Sequence, residues 1–412
     1  MVAKAGVHWL GYLATMSSEA GMGEHSGLRG TVLFTAFEPS GDAHAAPVVK
    51  ALRGLAPDLF VAAWGGPKLH EAGATVIERS ADDGAMGLSA LSRMGAVRRH
   101  AAAIDRWRSQ HRVTVHVPVD SPAANFPIAR RFKRSGVRVC HLVAPQLWAW
   151  GAWRLNKLRR CTDCVLCLLP FEEKWFRDRQ ISAKFIGHPV INRVIDRAVV
   201  GERAVQLPPG APKILLLPGS RSSEVWRNTP LLIRTLDELR ARHRGLNAVL
   251  VAANDELLQL VRRRMGSTVS QSLSLIVGDL DSAIAWCDLA LCVSGTVSLD
   301  LTRQAKPMVG VYQASMLSCL GARMFLKTPN RLLPNILAGE RIVPEFVPYS
   351  GGAAPVFEAA QHLLSDSSRM RLATDGLRQV LESFRGHDPA IEAAQAILSL
   401  VRGENPLAVK PA

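Results

Sequence analysis

Residues 213–224 read KILLLPGSRSSE, and the reading of this stretch decides the fold. The apolar residues Ile214 to Leu217 form a short run of the kind found in a strand buried on both faces. Pro218-Gly219 breaks the run, and Ser220, Arg221, Ser222 and Ser223 lead into a predicted helix that includes Glu224. Strand, tight turn and helix start together make an anion site. They offer N–H groups, the positive end of a helix dipole, and an arginine able to fork onto phosphate. The competing reading is an ordinary strand-to-helix loop with a surface arginine.

A second loop decides between them. Ser294-Gly295-Thr296 follows the apolar strand Leu289–Val293 and again turns into a helix, with Asp300 one turn further on. Two helix N-termini and Arg221 would grip a diphosphate, while Asp300 would reach a ribose hydroxyl. The chain has no G-x-x-x-x-G-K-[ST], which argues against an ATPase, and no clean G-x-G-x-x-G, which argues against a dinucleotide dehydrogenase.

Outward from this stretch, the second half is a β/α series with strands expected at 213–217, 247–252, 273–277, 289–293 and 307–311, closed by two amphipathic helices between 355 and 402. The first half repeats the pattern. TVLFTAF from Thr31 is a strand, Glu38-Pro39-Ser40-Gly41-Asp42 a turn, and Ala43–Leu55 a helix. Further strands are expected at Phe60–Trp64, Val113–Val119 and Val137–Val143. Alternation of this kind means parallel sheets wound on both sides, with ligands at the carboxyl ends of the strands. Glu38 to Asp42 and Asp120 occupy such ends. Asp120 stands where a general base is needed, and it would equally cap the next helix. Glu38 and Asp42 divide evenly between ligand contact and turn chemistry. His188, in Gly187-His188-Pro189, reads as structural. The expected organisation is an extension over 1–29, a first domain over 30–189, a Pro-rich linker over 190–212, a second domain over 213–385, and a C-terminal helix and tail over 386–412.

The chain has 412 residues, 48% of them apolar and 21% charged, and a net charge of +15. It can build sizeable cores and attracts anions: nucleic acid, acidic lipid or phosphorylated substrate. No apolar run reaches membrane-spanning length. Residues 1–29, mixed and Gly-rich, read as a disordered extension or an over-long start, with Met16 or Met22 as alternatives. Seven cysteines argue against a disulfide framework. Cys161, Cys164 and Cys167 are spaced as C-x-x-C-x-x-C but fall in an apolar strand, where spacing of three points side chains to opposite faces, so no metal is expected. Basic apolar stripes at 86–108 and 316–331 read as core-facing helices or as surfaces for an anionic membrane.

Taken in order, these motifs resemble one family. E-P-S-G-D at 38–42, Met86-Gly87, Asp120-Ser121-Pro122, Ala144–Trp150, Leu169–Glu172, Phe185–Pro189, Leu217–Arg221 with Glu224, Ser294–Thr296, and Leu333–Gly339 with Val343-Pro344-Glu345 are similar to those of lipid-A-disaccharide synthases. The likeness runs from about residue 31 to 400. It implies a GT-B architecture, two Rossmann-like domains facing a cleft, and an inverting transfer that needs no cofactor or metal. The family joins UDP-2,3-diacylglucosamine to 2,3-diacylglucosamine 1-phosphate (lipid X) and releases UDP. By resemblance, Asp120 would deprotonate the acceptor's 6-hydroxyl. Gly219, Ser220, Arg221, Glu224, Ser294, Gly295, Thr296, Asp300 and Asn335 would hold the donor, and Glu38, Ser40, Gly41, Asp42, Met86 and Trp148 would line the acceptor side.

The resemblance further implies a cytoplasmic enzyme peripheral to the inner membrane, no nucleic acid partner, and dimers in some members. This chain departs from the family's pattern at several points. Phe37 stands where a Gly is usual, Pro39 lies inside the first motif, and Asp300 replaces a Glu. The family's D-F-N appears as Ala123-Ala124-Asn125-Phe126, where an extra residue would reposition Asn125. The alternatives are another UDP-sugar enzyme of the same architecture (an N-acetylglucosamine transferase or epimerase), a low-activity paralogue, and a non-catalytic basic protein binding nucleic acid or lipid.

Overall fold

The computed structural model describes residues 29–80, 90–149, 151–265, 273–315 and 328–408. Met86 with the first residues of the 86–108 stripe, Trp150, most of the 316–331 stripe and nearly all of the N-terminal extension lie outside the described residues; the rest of the first stripe is helix Ala90–Gln110.

The first half forms a seven-stranded parallel sheet in the order β3-β2-β1-β4-β5-β6-β7. Its strands are β1 (Thr31–Ala36), β2 (Phe60–Gly65), β3 (Thr75–Arg79), β4 (Val115–Val119), β5 (Arg138–Leu142), β6 (Cys164–Cys167) and β7 (Ala183–Phe185). The second half forms a six-stranded sheet in the order β10-β9-β8-β11-β12-β13. It comprises β8 (Lys213–Leu217), β9 (Asn247–Ala252), β10 (Leu273–Val277), β11 (Leu289–Val293), β12 (Met308–Gln313) and β13 (Glu345–Tyr349). Central strands such as β8 and β11 are almost wholly buried, because helices cover both faces of each sheet. Period-two alternation sorts β1 accordingly: Val32 and Phe34 join one core, Leu33 the other.

Both sheets reverse winding direction once. In the first the switch falls between β1 and β4, in register Leu33↔His116 and Ala36↔Val119. In the second it falls between β8 and β11, in register Leu289↔Ile214 and Cys292↔Leu217. Open α/β sheets bind ligands at the carboxyl side of such a switch. The turns there are 37–38 and 120–121 in the first sheet, and 218–221 and 294–296 in the second.

Several expectations need correcting. The segment read as a turn at 38–42 is the first turn of helix Pro39–Leu55, with Pro39 at a first-turn position where its missing N–H costs nothing. The tail holds three helices, Ala354–Ser365, Ser367–Glu382 and Pro389–Val401, rather than two. The last returns to the first half and packs against Pro39–Leu55, contributing Ala393, Ala396, Ile397 and Leu400 to that core. Its buried Glu392 pairs with Lys184 of β7 at 3.1 Å. The linker contains a helix, Arg197–Val205, capped by the Asp196 carboxylate. Cys164 and Cys167 do lie on opposite faces of the sheet, in separate cores, and Cys161 ends a helix.

Candidate active site

At the first switch point β4 ends in two consecutive residues with left-handed backbones, Asp120 at φ 46° and Ser121 at φ 40°. Each costs on the order of 1–3 kcal/mol for a residue with a side chain, so the surrounding structure must hold them. The elbow is braced from behind. Asn125, fully buried in the first turns of helix Pro122–Arg134, donates to the carbonyls of Val119 and Asp120, both at 2.9 Å. Its side-chain oxygen accepts from Thr35 Oγ1 at 2.7 Å, and Thr35 also contacts His116 Nε2 at 2.9 Å. The altered Ala123-Ala124-Asn125-Phe126 motif therefore seats Asn125 against the elbow. Burial pushes the Asp120 carboxyl up, against the opposing pull of a hydrogen bond from the Ser121 N–H. A carboxylate made more basic by partial desolvation at a strand's carboxyl end is suited to take a proton. The Ser121 hydroxyl is buried beside it without a hydrogen-bond partner.

The neighbouring turn separates its acidic residues into two jobs. Glu38 is exposed at the N-cap position of Pro39–Leu55, open toward solvent beyond β1, and Ser40 is likewise exposed. Asp42 is 2% exposed, and its carboxylate accepts from the N–H groups of Gly66 (2.8 Å), Lys68 (2.9 Å) and Leu69 (3.2 Å). It caps helix Pro67–Glu71, the role of turn and cap chemistry rather than of an open ligand group. Gly41, buried in the first turn of Pro39–Leu55, lies over the ends of β1 and β4: a Cβ there would stand at ordinary contact distance, 3.4 Å from Ala36 and 3.6 Å from the Val119 carbonyl. Phe37, in place of the family's glycine, packs on His100 of helix Ala90–Gln110 at 5.6 Å.

Trp148 is half-buried, crosses Phe171 edge-on at 4.9 Å, and donates from its indole to Glu172 at 2.9 Å. Glu172 also accepts from the Leu169 N–H at 3.1 Å, and burial pushes its carboxyl up to about 7. Between Pro39–Leu55, the ends of β5 and β6 and the linker lies a cavity of about 300 Å³, lined by His44, Leu142, Ile186, Arg193 and His387 among others. His188 is buried and accepts from the Val190 N–H, a local turn, consistent with a structural histidine.

At the second switch point Gly219 adopts φ 118°, and a Cβ there would meet Glu224 at 2.7 Å. Glu224 was expected to face the donor. Its carboxylate instead accepts from the N–H groups of Ser220 (3.1 Å) and Arg221 (3.3 Å), and pairs with the Arg221 guanidinium at 2.7 Å. Two of the amides expected to await an anion are thus taken by the protein's own carboxylate. Ser222 and Ser223 supply the remaining N–H groups of that first turn. The Arg221 side chain is otherwise 67% exposed. Across the switch, Ser294 to Thr296 lead into helix Val297–Arg303, and Gly295 has open space where a Cβ would be.

Asp300 and Asn335 are engaged elsewhere. Asp300 lies in an ion cluster with Arg303 (3.3 Å) and with Arg193 of the linker (3.5 Å), and Asp281 bonds both arginines. Burial pushes the Asp300 carboxyl up against the pull of those cations. Asn335 is fully buried. It donates to Val343 O and Glu345 and accepts from the Val343 N–H, so its amide braces the 330–345 segment.

The model of the family described as lipid-A-disaccharide synthetase matches residues 32–397. The lipid-A-disaccharide synthase of Anaeromyxobacter sp. (strain K) is 33% identical over 375 residues, 90% of this chain and 97% of that protein. That of Pseudomonas aeruginosa (strain UCBPP-PA14) is 30% identical over 379 residues, 91% and 98%. The chain belongs to the lipid-A-disaccharide synthase family. As a member it is a glycosyltransferase of lipid A biosynthesis. Two solved structures share the GT-B fold at low identity: S. aureus MnaA in complex with UDP (TM-score 0.61, 13% identity, 92% of this chain and 100% of that one) and Anabaena Alr3699/HepE with UDP-glucose (TM-score 0.53, 12% identity, 91% and 100%). Among the described residues no helix is long and apolar enough to cross a membrane.

Reasoning from sequence missed Thr35 and His116. Their signal was present: each is a polar residue inside an otherwise apolar strand, TVLFTA and VHVPV.

Proposed function

We propose that this lipid-A-disaccharide synthase family member transfers a 2,3-diacylglucosamine unit from its UDP donor to the 6-hydroxyl of 2,3-diacylglucosamine 1-phosphate, with inversion. The observation carrying the proposal is the Asp120 elbow, a partly desolvated carboxylate presented at the switch point of the first sheet. Asp120 takes the hydroxyl proton as the acceptor oxygen attacks the anomeric carbon. The bond from that carbon to the diphosphate oxygen breaks, and UDP leaves. Arg221, the Ser222 and Ser223 amides and the turn at 295–297 stabilise the departing diphosphate. Residues 30–189 form the acceptor side, with Glu38, Ser40 and Trp148 at its edge, and residues 213–385 the donor side, joined by 190–212. Asp42, Gly41, Glu224 and Asn335 serve by shaping these loops. Asp300 would reach a ribose by exchanging its arginine partners. Solved relatives of the fold that carry UDP or UDP-glucose support a nucleotide-sugar donor. Acylated anionic substrates and the net charge of +15 support work at the cytoplasmic face of the inner membrane.

The test is UDP release from UDP-2,3-diacylglucosamine with and without lipid X. Acceptor-dependent release abolished by Asp120→Asn is expected. Release independent of acceptor would favour a hydrolysing or epimerising enzyme, and full activity in Asp120→Asn would remove Asp120 as base.

A further inference from the structure

We infer that Thr35, His116 and Asn125 form a one-directional hydrogen-bond chain that positions the Asp120 elbow for catalysis. The inference rests on the reading of Asp120 as the base. Its starting point is that carbonyl oxygens only accept. Asn125 stands 2.9 Å from both Val119 O and Asp120 O, so its NH₂ must face them and its oxygen must face Thr35. The Thr35 hydroxyl owns one proton, and that proton goes to Asn125 at 2.7 Å. The contact between Thr35 and His116 Nε2 at 2.9 Å can then be a hydrogen bond only if Nε2 carries the proton.

Nδ1 of the same ring is buried without a partner, as a bare lone pair in an apolar site is tolerated where an N–H or a charged ring is not. Burial, with His141 on the neighbouring strand as a lesser cause, pushes His116 down to about 3, so one proton is all the ring holds. The order is forced throughout: His116 Nε2–H to Thr35, Thr35 O–H to Asn125, and Asn125 N–H to the two backbone carbonyls.

The chain runs across a buried face of the first sheet, beneath helix Pro122–Arg134. Thr35 and His116 sit on adjacent strands on the Leu33 side, with His116 paired in register with Leu33 and its ring against Phe132 at 4.4 Å. All three polar residues are fully buried, where packing alone would favour apolar side chains. None faces the site. What they hold is the peptide between two left-handed residues, and so the direction of the Asp120 carboxylate. A misplacement of about 1 Å at a reacting group can cost on the order of 10²-fold in rate. They are positioning residues.

The experiment compares Thr35→Val with Thr35→Ser in the full chain by steady-state UDP release, varying donor and acceptor, with UDP affinity and thermal melting as fold checks. Valine keeps the shape and cuts the chain; serine keeps the hydroxyl. Thr35→Val is expected to lower kcat by about 10- to 100-fold with both KM values and UDP affinity within about threefold, and Thr35→Ser to restore most of kcat. Equal losses in the two variants, a loss shared between kcat and KM, or a Thr35→Val kcat near that of the parent would each overturn the inference. If Thr35→Val does not fold, His116→Gln (which keeps a donor) and His116→Met are read in the same way. Asp120→Asn is measured alongside. If it keeps full activity, the base assignment has failed. If it is inactive while Thr35→Val is unimpaired, only the positioning chain has failed.

Discussion

At the end of β4 the chain accepts two left-handed residues and uses three buried polar side chains to keep them there; at the end of β8 it uses a glycine for the awkward φ and leaves its cation in solvent. Asp120 is held by backbone carbonyls fixed through Asn125, whereas Arg221 is 67% exposed on a flexible stem and parked on Glu224. The difference follows from what each group would do. A base must meet one hydroxyl proton along one line, so its position is fixed before the substrate arrives. A diphosphate carries charge over several oxygens, so amides and a swinging guanidinium can reach it from a range of positions. Glu224 meanwhile occupies the Ser220 and Arg221 amides and the Arg221 guanidinium, which under the proposed function a diphosphate would take over.

The sharpest break of the comparison is Asp120→Asn. Loss of proton transfer is expected to lower kcat by about 10²–10⁴-fold while UDP affinity, measured by calorimetry, stays within about threefold. A parallel fall in UDP affinity would mean that the two switch points are not separate jobs. Arg221→Ala should do the reverse. Removing one charge-assisted contact is expected to weaken UDP binding by about 10- to 100-fold, more at low salt than at high, with a smaller change in the acceptor KM. The glycines sharpen the same contrast. Gly219→Ala places a Cβ 2.7 Å from Glu224 at φ 118°, and is expected to weaken UDP binding about tenfold and to lower the melting temperature. Gly295→Ala meets nothing within 4 Å, so stability should be unchanged and any loss of UDP affinity would report ligand contact directly.

Much of this was legible in the sequence where a local pattern and a global one coincide. Apolar runs such as ILLL and LALCV announced strands because both faces are covered, and the turns after them fell at the switch points because strand, turn and helix follow in register. β13, Glu345–Tyr349, escaped notice: it is a half-buried edge strand with a Pro at 348, so it lacks an apolar run. The start of Pro39–Leu55 was misread because Pro, Ser, Gly and Asp are turn formers and first-turn residues alike. Asp42, Asn335 and Glu224 were placed at the ligand because of where they stand in the chain. The fold gives each of them protein partners that the local sequence did not announce: the amides of Gly66 to Leu69, the Val343 backbone and the Ser220 turn. Partners 24 residues away, as for Asp42 and Gly66, leave no mark on local sequence.

The smallest effect lies beside the loop proposed to meet the acceptor, at Glu172. In the folded protein burial raises its carboxyl from 4.5 to about 7, while in the unfolded chain it ionises near its ordinary value. Between those two limits the folded state holds a proton that the unfolded state has released, so stability falls as pH rises from about 4.5 to about 7 and is level on either side. Each tenfold change in an ionisation constant is worth about 1.4 kcal/mol, so the fall is on the order of 3 kcal/mol. Glu172→Gln removes the slope. Its amide can accept from Trp148 or from the Leu169 N–H but not from both with the same geometry, which costs about 1 kcal/mol at every pH. Denaturant unfolding across the acid-to-neutral range should therefore show the parent more stable than the variant at the acid end, with the advantage lost or reversed by neutrality. Parallel curves would mean that Glu172 ionises in the folded protein as it does in water. Turnover at neutral pH is expected to change little, because the Glu172 carboxylate is turned to the Trp148 indole and the Leu169 N–H.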